Sequence, residues 1–227
     1  MHREIIKIDK LVRSKRRTLY LEVSTDAKLI VRAPLHCSNK IIEKAVENDR
    51  DWILRRQKYE REHCKPAFPK KYITGEEFLY LGKSYKLIIS ATSGVPLIFT
   101  GINFVLTANY AKNARELFIQ WYSKEAFRII SDRANLYSYI TGMKYKKLRI
   151  SNAQHRWGSC SAKGNLNFSW SLIMAPLEVI DYVIVHELIH IKIKGHSKDF
   201  WQKVSEFIPE YILRRKWLNE NQNLLTL

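Results

Sequence analysis

Residues 186–196 read HELIHIKIKGH, three histidines and one glutamate within eleven positions. Just upstream, Val179, Ile180, Val183, Ile184 and Val185 are β-formers, so propensity alone would make 179–185 a strand. The histidine spacing argues otherwise. In a strand, His186 and His190 would stand about 13 Å apart, too far to share an ion. In a helix, residues four apart lie one turn above each other on one face. Both rings can then reach one ion at about 2.0–2.1 Å, the bond length of zinc to imidazole. Chelation therefore requires a helix, and the apolar run suits a buried one in which packing overrides propensity. Glu187 is rotated by about 100° from His186, beside such an ion and outside its ligand set, where it can take a proton from metal-bound water. The plainer alternative is a pair of hydrogen-bonded core histidines.

Three protein ligands and an open position make a catalytic zinc site. His196 is the third candidate, and Gly195 lets the chain leave the helix and turn it back toward the ion. Ser197 can cap a further helix whose apolar face is Phe200, Trp201, Val204 and Phe207. Alternatively His196 is a supporting or capping residue and Glu206 or Glu210 completes the site. The spacing resembles the metzincin pattern, but Ile193 stands where those proteases place glycine, and no methionine follows Met174. That assignment fails.

Elsewhere the chain alternates strand-like and helical segments. Ile5–Ile8, Leu19–Val23 and Leu29–Val31 read as strands, followed by one helix capped by Ser38 with Ile41, Ile42, Ala45, Val46, Trp52 and Ile53 at helical spacing. Residues 61–75, with two prolines and five basic side chains, read as a connector. Two hairpins turn near Gly82 and at Gly101. A helix from about 110 to 140 has the stripe Ala114, Leu117, Phe118, Trp121, Phe127, Ile130, Ala134 and Tyr137, with Gly142 as its stop. KKLRI (146–150) reads as a strand, and HRWGSC and NLNFSW as a hairpin around 162–164 with Leu166, Phe168 and Trp170 on one face. Pro176 suits the first turn of the histidine helix.

The net charge of +17 favours anionic partners such as nucleic acid or nucleotides, although its spread along the chain also fits a solvated basic surface. Three scattered cysteines argue against a disulfide framework and suit a reducing cytoplasm. No signal-like or membrane-spanning apolar run is visible.

From RWGSCS (156–161) through PLEVIDYV (176–183), HELIH (186–190) and HSKDFW (196–201), the sequence closely resembles the YgjP-like family of zincin-type metal-dependent hydrolases. SKRRTLYLEV and YLGKSYKL extend the resemblance into the amino half. It implies an α+β fold with a zincin-like core: an active-site helix, a second helix behind it, and a small sheet whose edge strand borders the cleft. The expected division is an N-terminal β-rich subdomain over 1–108 and a catalytic domain over 109–227. The resemblance also implies His186, His190 and His196 as zinc ligands and Glu187 as general base. Members have been labelled metallopeptidases and also described as pyrophosphatases acting on UTP, so peptide and nucleotide substrates both stay open.

Arg156 has two readings: a cleft residue that binds a carbonyl oxygen or phosphate, or the partner of a carboxylate in a structural corner. Cys160 as a nucleophile lacks an orienting partner, and packing is its default role; His155 fits either role. The expected activity is zinc-dependent hydrolysis by metal-activated water, on a peptide bond first and a UTP phosphoanhydride second. A nucleic-acid-binding protein with a structural zinc is the third expectation, supported by the charge and by Trp157 and Tyr145 as stacking platforms.

Overall fold

The structure, a computed structural model, describes residues 6–24, 26–63, 70–91, 94–153 and 156–227, with His63 by its backbone alone. Ile5, residues 64–69 of the 61–75 connector (Cys64 among them) and His155 lie outside the described residues. The chain forms two compact units, 1–67 with 220–224, and 68–219 with 225–227.

In the first unit, strand β3 (Leu29–Pro34) lies between β1 (Lys10–Ser14), parallel to it, and β2 (Tyr20–Val23), antiparallel to it. Leu29, Val31 and Ala33 alternate inward along β3 and meet Ile42, Val46 and Ile53. The first strand therefore begins at Lys10, later than expected, and Ile6 and Ile8 serve instead as packing against this core. The expected single helix is two, α1 (Asn39–Asn48) and α2 (Arg50–His63). Ser38 caps α1 by accepting from the Ile41 amide. At Asp49 the backbone leaves helical geometry (φ −98°, ψ 14°), and its carbonyl accepts from Ile53 to start α2. Asn48 and Asp49 are weak helix formers that favour helix ends.

Among its described residues, the second unit carries two sheets and four helices. Strands β4 (Glu77–Tyr80), β5 (Lys83–Ser90), β6 (Leu97–Phe99) and β7 (Asn103–Thr107) are ordered β4-β5-β7-β6, with both expected hairpins present. The long helix α3 (Ala114–Thr141) stops at Gly142, whose left-handed φ of 66° an L side chain rarely adopts. Its buried line is Ala114, Phe118, Tyr122, Ala126, Ile130 and Ala134, while Phe127, expected in the stripe, is exposed. Phe118 stacks on Phe78 with centroids 4.1 Å apart, and the Tyr122 hydroxyl donates to the Leu79 carbonyl at 2.7 Å. Residues 70–107, expected with the N-terminal part, thus share one aromatic core with α3.

Strands β8 (Lys147–Ser151), β9 (Gly158–Cys160) and β10 (Asn165–Ser169) form the second sheet, with β10 central, parallel to β8 and antiparallel to β9. A 3-10 turn (Trp170–Met174) leads into α4 (Leu177–Ile189) with Pro176 at its N-cap. The 179–185 run is helical, and ten of the thirteen α4 residues are buried. Helices α5 (Lys198–Phe207) and α6 (Tyr211–Asn221) follow. No described helix is long and apolar enough to cross a membrane.

Two contacts set the position of α4. The β4–β5 turn, Leu81 and Gly82, donates its amides to the carbonyls of Ile173 and Met174 at 2.9 and 3.0 Å. Gly82 lies so close to Pro176 that an added Cβ would fall 2.8 Å from its Cγ and 2.9 Å from its Cα. One helical turn on, Asp181 accepts a two-pronged ion pair from Arg133 of α3, at 2.6 Å to Nε and 2.5 Å to a terminal nitrogen. Removing either partner strands the other in a largely buried place. Asp181→Ala should lower unfolding free energy by about 3 kcal/mol, read as a reduced urea midpoint with an unchanged m-value.

Candidate metal centre

Helix α4 ends at Ile189, and His190 occupies its C-cap with αR geometry. The chain then makes a tight turn, with the amides of Ile191 and Lys192 bonded to the carbonyls of Leu188 and Ile189. Gly195 adopts φ 78°, reversing the chain so that His196 returns over α4. Ser197 caps α5 by accepting from the Phe200 amide, which holds the returning segment.

The Nε2 atoms of His186, His190 and His196 converge to a near-equilateral triangle, with separations of 3.2, 3.2 and 3.1 Å. Tetrahedral bonds of about 2.0–2.1 Å to one ion require ligand separations of about 3.3–3.4 Å, so this donor set fits zinc closely. Two of the rings are also held toward the neutral state a ligand needs. Burial, followed by the neighbouring imidazoles, holds His186 near pKa 3, and burial lowers His190 as well. His190 Nδ1 lies 3.0 Å from the Ile193 carbonyl, a contact that assigns the proton to Nδ1 and leaves Nε2 its lone pair. Glu206 and Glu210, the rival third ligands, are bound instead to Lys203 at 2.6 Å and Arg214 at 2.5 Å. Among the described residues these three histidines are the one group able to hold a metal.

Aromatic packing fixes the rings. His190 stacks on the fully buried Phe200 with centroids 4.4 Å apart, and His196 stacks on Trp201 at 5.5 Å. Trp201 is itself stacked on Tyr211 of α6, with the Arg215 guanidinium 5.0 Å from its ring centre. The apolar face expected of α5 therefore serves as the wall behind the ligands.

Glu187 is buried, and that burial pushes its carboxyl up to about 7 against the opposing pull of Arg156. Arg156 is exposed and has no carboxylate partner among the described residues, so the structural-corner role expected as one alternative finds no support. Cys160 is half-buried on β9, and burial pushes its thiol up, opposite to what a nucleophile requires.

One contact was not legible in RWGSC. Gly158 lies directly against Glu187: an added Cβ would fall 2.6 Å from its Cγ and 2.8 Å from Oε1. The missing side chain is what lets β9 pass over the carboxylate. The only sequence signal was a glycine inside a strand, a mark of close approach.

Residues 17–221 match the family described as YgjP-like, metallopeptidase domain. No curated protein matches the chain. Among solved structures, the chain is similar to the metallopeptidase zymogen abylysin of Pyrococcus abyssi. The two share 22% identity, over 41% of this chain and 95% of that one, with a TM-score of 0.38.

Gly158→Ala must displace Glu187 while leaving the three imidazoles in place. The expected outcome is unchanged zinc content with a fall in kcat of about 10²-fold, the scale of losing a positioned base; unaltered kcat would show that the carboxylate has room to spare.

Proposed function

The chain belongs to the YgjP-like metallopeptidase family, and from that premise we propose that it cleaves peptide bonds, with His186, His190 and His196 holding zinc and Glu187 as general base. The observation that supports this most directly is the Nε2 triangle beside a buried carboxylate. Zinc in such a three-nitrogen site supplies a Lewis acid and brings the pKa of a water down to about 7. Glu187 takes the proton of the attacking water and returns it to the leaving amine. A carboxyl raised to about 7 by burial is matched to that exchange near neutral pH. Arg156 lowers the cost of the negative charge that develops beside Glu187, acting as a cation facing the cleft.

A second reading, pyrophosphate release from UTP, uses the same histidines and base. It is favoured by the cations Lys147, Arg149 and Arg156, which line one cavity. A structural zinc in a nucleic-acid-binding protein would call for a fourth protein ligand, and three side chains meet here among the described residues.

Purified protein should carry about one zinc per chain, and His186→Ala or His190→Ala should lose it. Glu187→Gln should retain the metal and lose about 10²–10⁴-fold in turnover. A peptide library and UTP, offered in parallel to the zinc-loaded protein, separate the two readings. Peptide products that vanish in Glu187→Gln support the first; pyrophosphate alone, with the same dependence, replaces it with the second.

A further inference from the structure

The three imidazoles are brought to the metal centre by unequal means. His186 belongs to α4, and its ring stands edge-on to the fully buried Phe200 with centroids 4.9 Å apart. His190, at the helix end, is oriented by the Ile193 carbonyl 3.0 Å from its Nδ1. That is the common device for a metal-binding histidine: one nitrogen donates to a carbonyl or carboxylate, and the other is thereby aimed. His196 has neither support. It is exposed, it follows the left-handed Gly195, and its polar contacts among the described residues are all made by Nε2. A ligand that arrives on a turn needs something else to set its ring.

The start of α5 supplies it. Ser197 is the N-cap and accepts from the Phe200 amide, so His196 is the residue before the cap and Trp201 the fourth residue of the helix. Side chains at those two positions meet in a hydrophobic staple, the contact that fixes the angle at which a chain enters a helix. Here they meet face to face, with planes 23° apart and centroids 5.5 Å apart. The staple position that ordinarily carries an apolar side chain carries a metal ligand.

The indole is itself braced. Phe200 and Val204 anchor α5 in the core with no exposed surface. Tyr211 of α6 stacks on Trp201 with planes 15° apart and centroids 5.3 Å apart, and Arg215, one turn further along α6, brings its guanidinium 5.0 Å from the indole centre. His196, Trp201 and Tyr211 thus form a run of three near-parallel rings with the indole as the shared member. A ring held against such a wall has few orientations open to it. The one observed puts the His196 Nε2 3.2 Å from that of His190 and 3.1 Å from that of His186. The stack also strengthens once a dication draws electron density from the imidazole, because the face of an indole is electron-rich.

We propose that Trp201 is a positioning residue of the metal centre: through the staple of α5 it holds His196 in its ligating orientation before an ion arrives, in place of the hydrogen bond that serves His190. This deepens the zinc reading of the three histidines and rests on it, and it is independent of the substrate.

The test reads metal affinity and coordination. Zinc Kd is measured by competition with a chromophoric chelator for the wild type, Trp201→Met and Trp201→Phe. Methionine keeps apolar volume without a flat face, whereas phenylalanine keeps the face. Trp201→Met should weaken zinc binding about 10- to 100-fold, the usual cost of losing a group that orients a ligand, and Trp201→Phe should recover most of that loss. Cobalt-loaded Trp201→Met should lose the strong visible absorption of a low-coordinate nitrogen site and resemble His196→Ala, at unchanged circular dichroism. A tryptophan with a merely structural role would lower the urea midpoint and leave the affinity and the cobalt spectrum alone; that outcome overturns the proposal, as does a phenylalanine variant as weak as the methionine one. If Trp201→Met does not fold, metal-free wild-type protein decides. Its His196 ring protons, identified in proton NMR by their loss in His196→Ala, should be displaced upfield by the indole, and random-coil positions overturn the pre-orientation. Wild-type protein that takes up no zinc defeats the metal reading itself, whereas tight wild-type binding that Trp201→Met leaves intact defeats this inference alone.

Discussion

Two imidazoles one helical turn apart can serve one ion only if the helix that carries them cannot rotate. A roll of α4 by a few tens of degrees would separate the His186 and His190 nitrogens from that of His196, which comes from beyond the helix. The rest of the second unit can be understood as the means of preventing that roll. Ten of thirteen α4 residues are buried, so three sides of the helix are locked by close packing. The Arg133–Asp181 pair fixes rotation, since a two-pronged ion pair has one geometry. The β4–β5 turn fixes translation by pressing on Pro176. The residues of α4 left wholly or partly uncovered are Leu177 and Glu178 at its start and His186 at the histidine cluster.

Burial so close to a reactive centre has an electrostatic cost that the site turns to use. Imidazole prefers to be neutral where water is scarce, so the surroundings that raise Glu187 also keep His186 unprotonated. Desolvation thus acts on both kinds of group in the direction the proposed roles require, leaving lone pairs on the imidazoles and an exchangeable proton on the Glu187 carboxyl. Arg156 moderates it from the exposed side.

How much of this was legible in the sequence depended on how local the signal was. The α4 helix could be read through its β-branched residues because four-residue histidine spacing has a single chelating geometry. Gly82, Gly101, Gly142 and Gly195 marked reversals at which the backbone does adopt positive φ. Features decided by distant partners were hidden. Tyr122, rather than Phe127, faces inward because the β4 carbonyl of Leu79 and the ring of Trp170 wait on that side of α3. The role of Gly158 requires knowing that β9 crosses Glu187. Lys147 and Arg149 looked like ordinary surface charge, and became notable only once β8 was found parallel to β10, a pairing no local pattern announces.

The two hairpin turns of the four-stranded sheet look alike, each with a glycine at positive φ. Their surroundings make them opposites in what they will accept. Around Gly101 there is open space, so that loop is a natural place to insert a tag or graft a fluorophore. The Leu81–Gly82 turn is wedged under the start of the histidine helix, and any extension there would be felt as leverage on the metal site. A loop at the chain's surface by topology is, in mechanical terms, part of the foundation on which the chemistry stands.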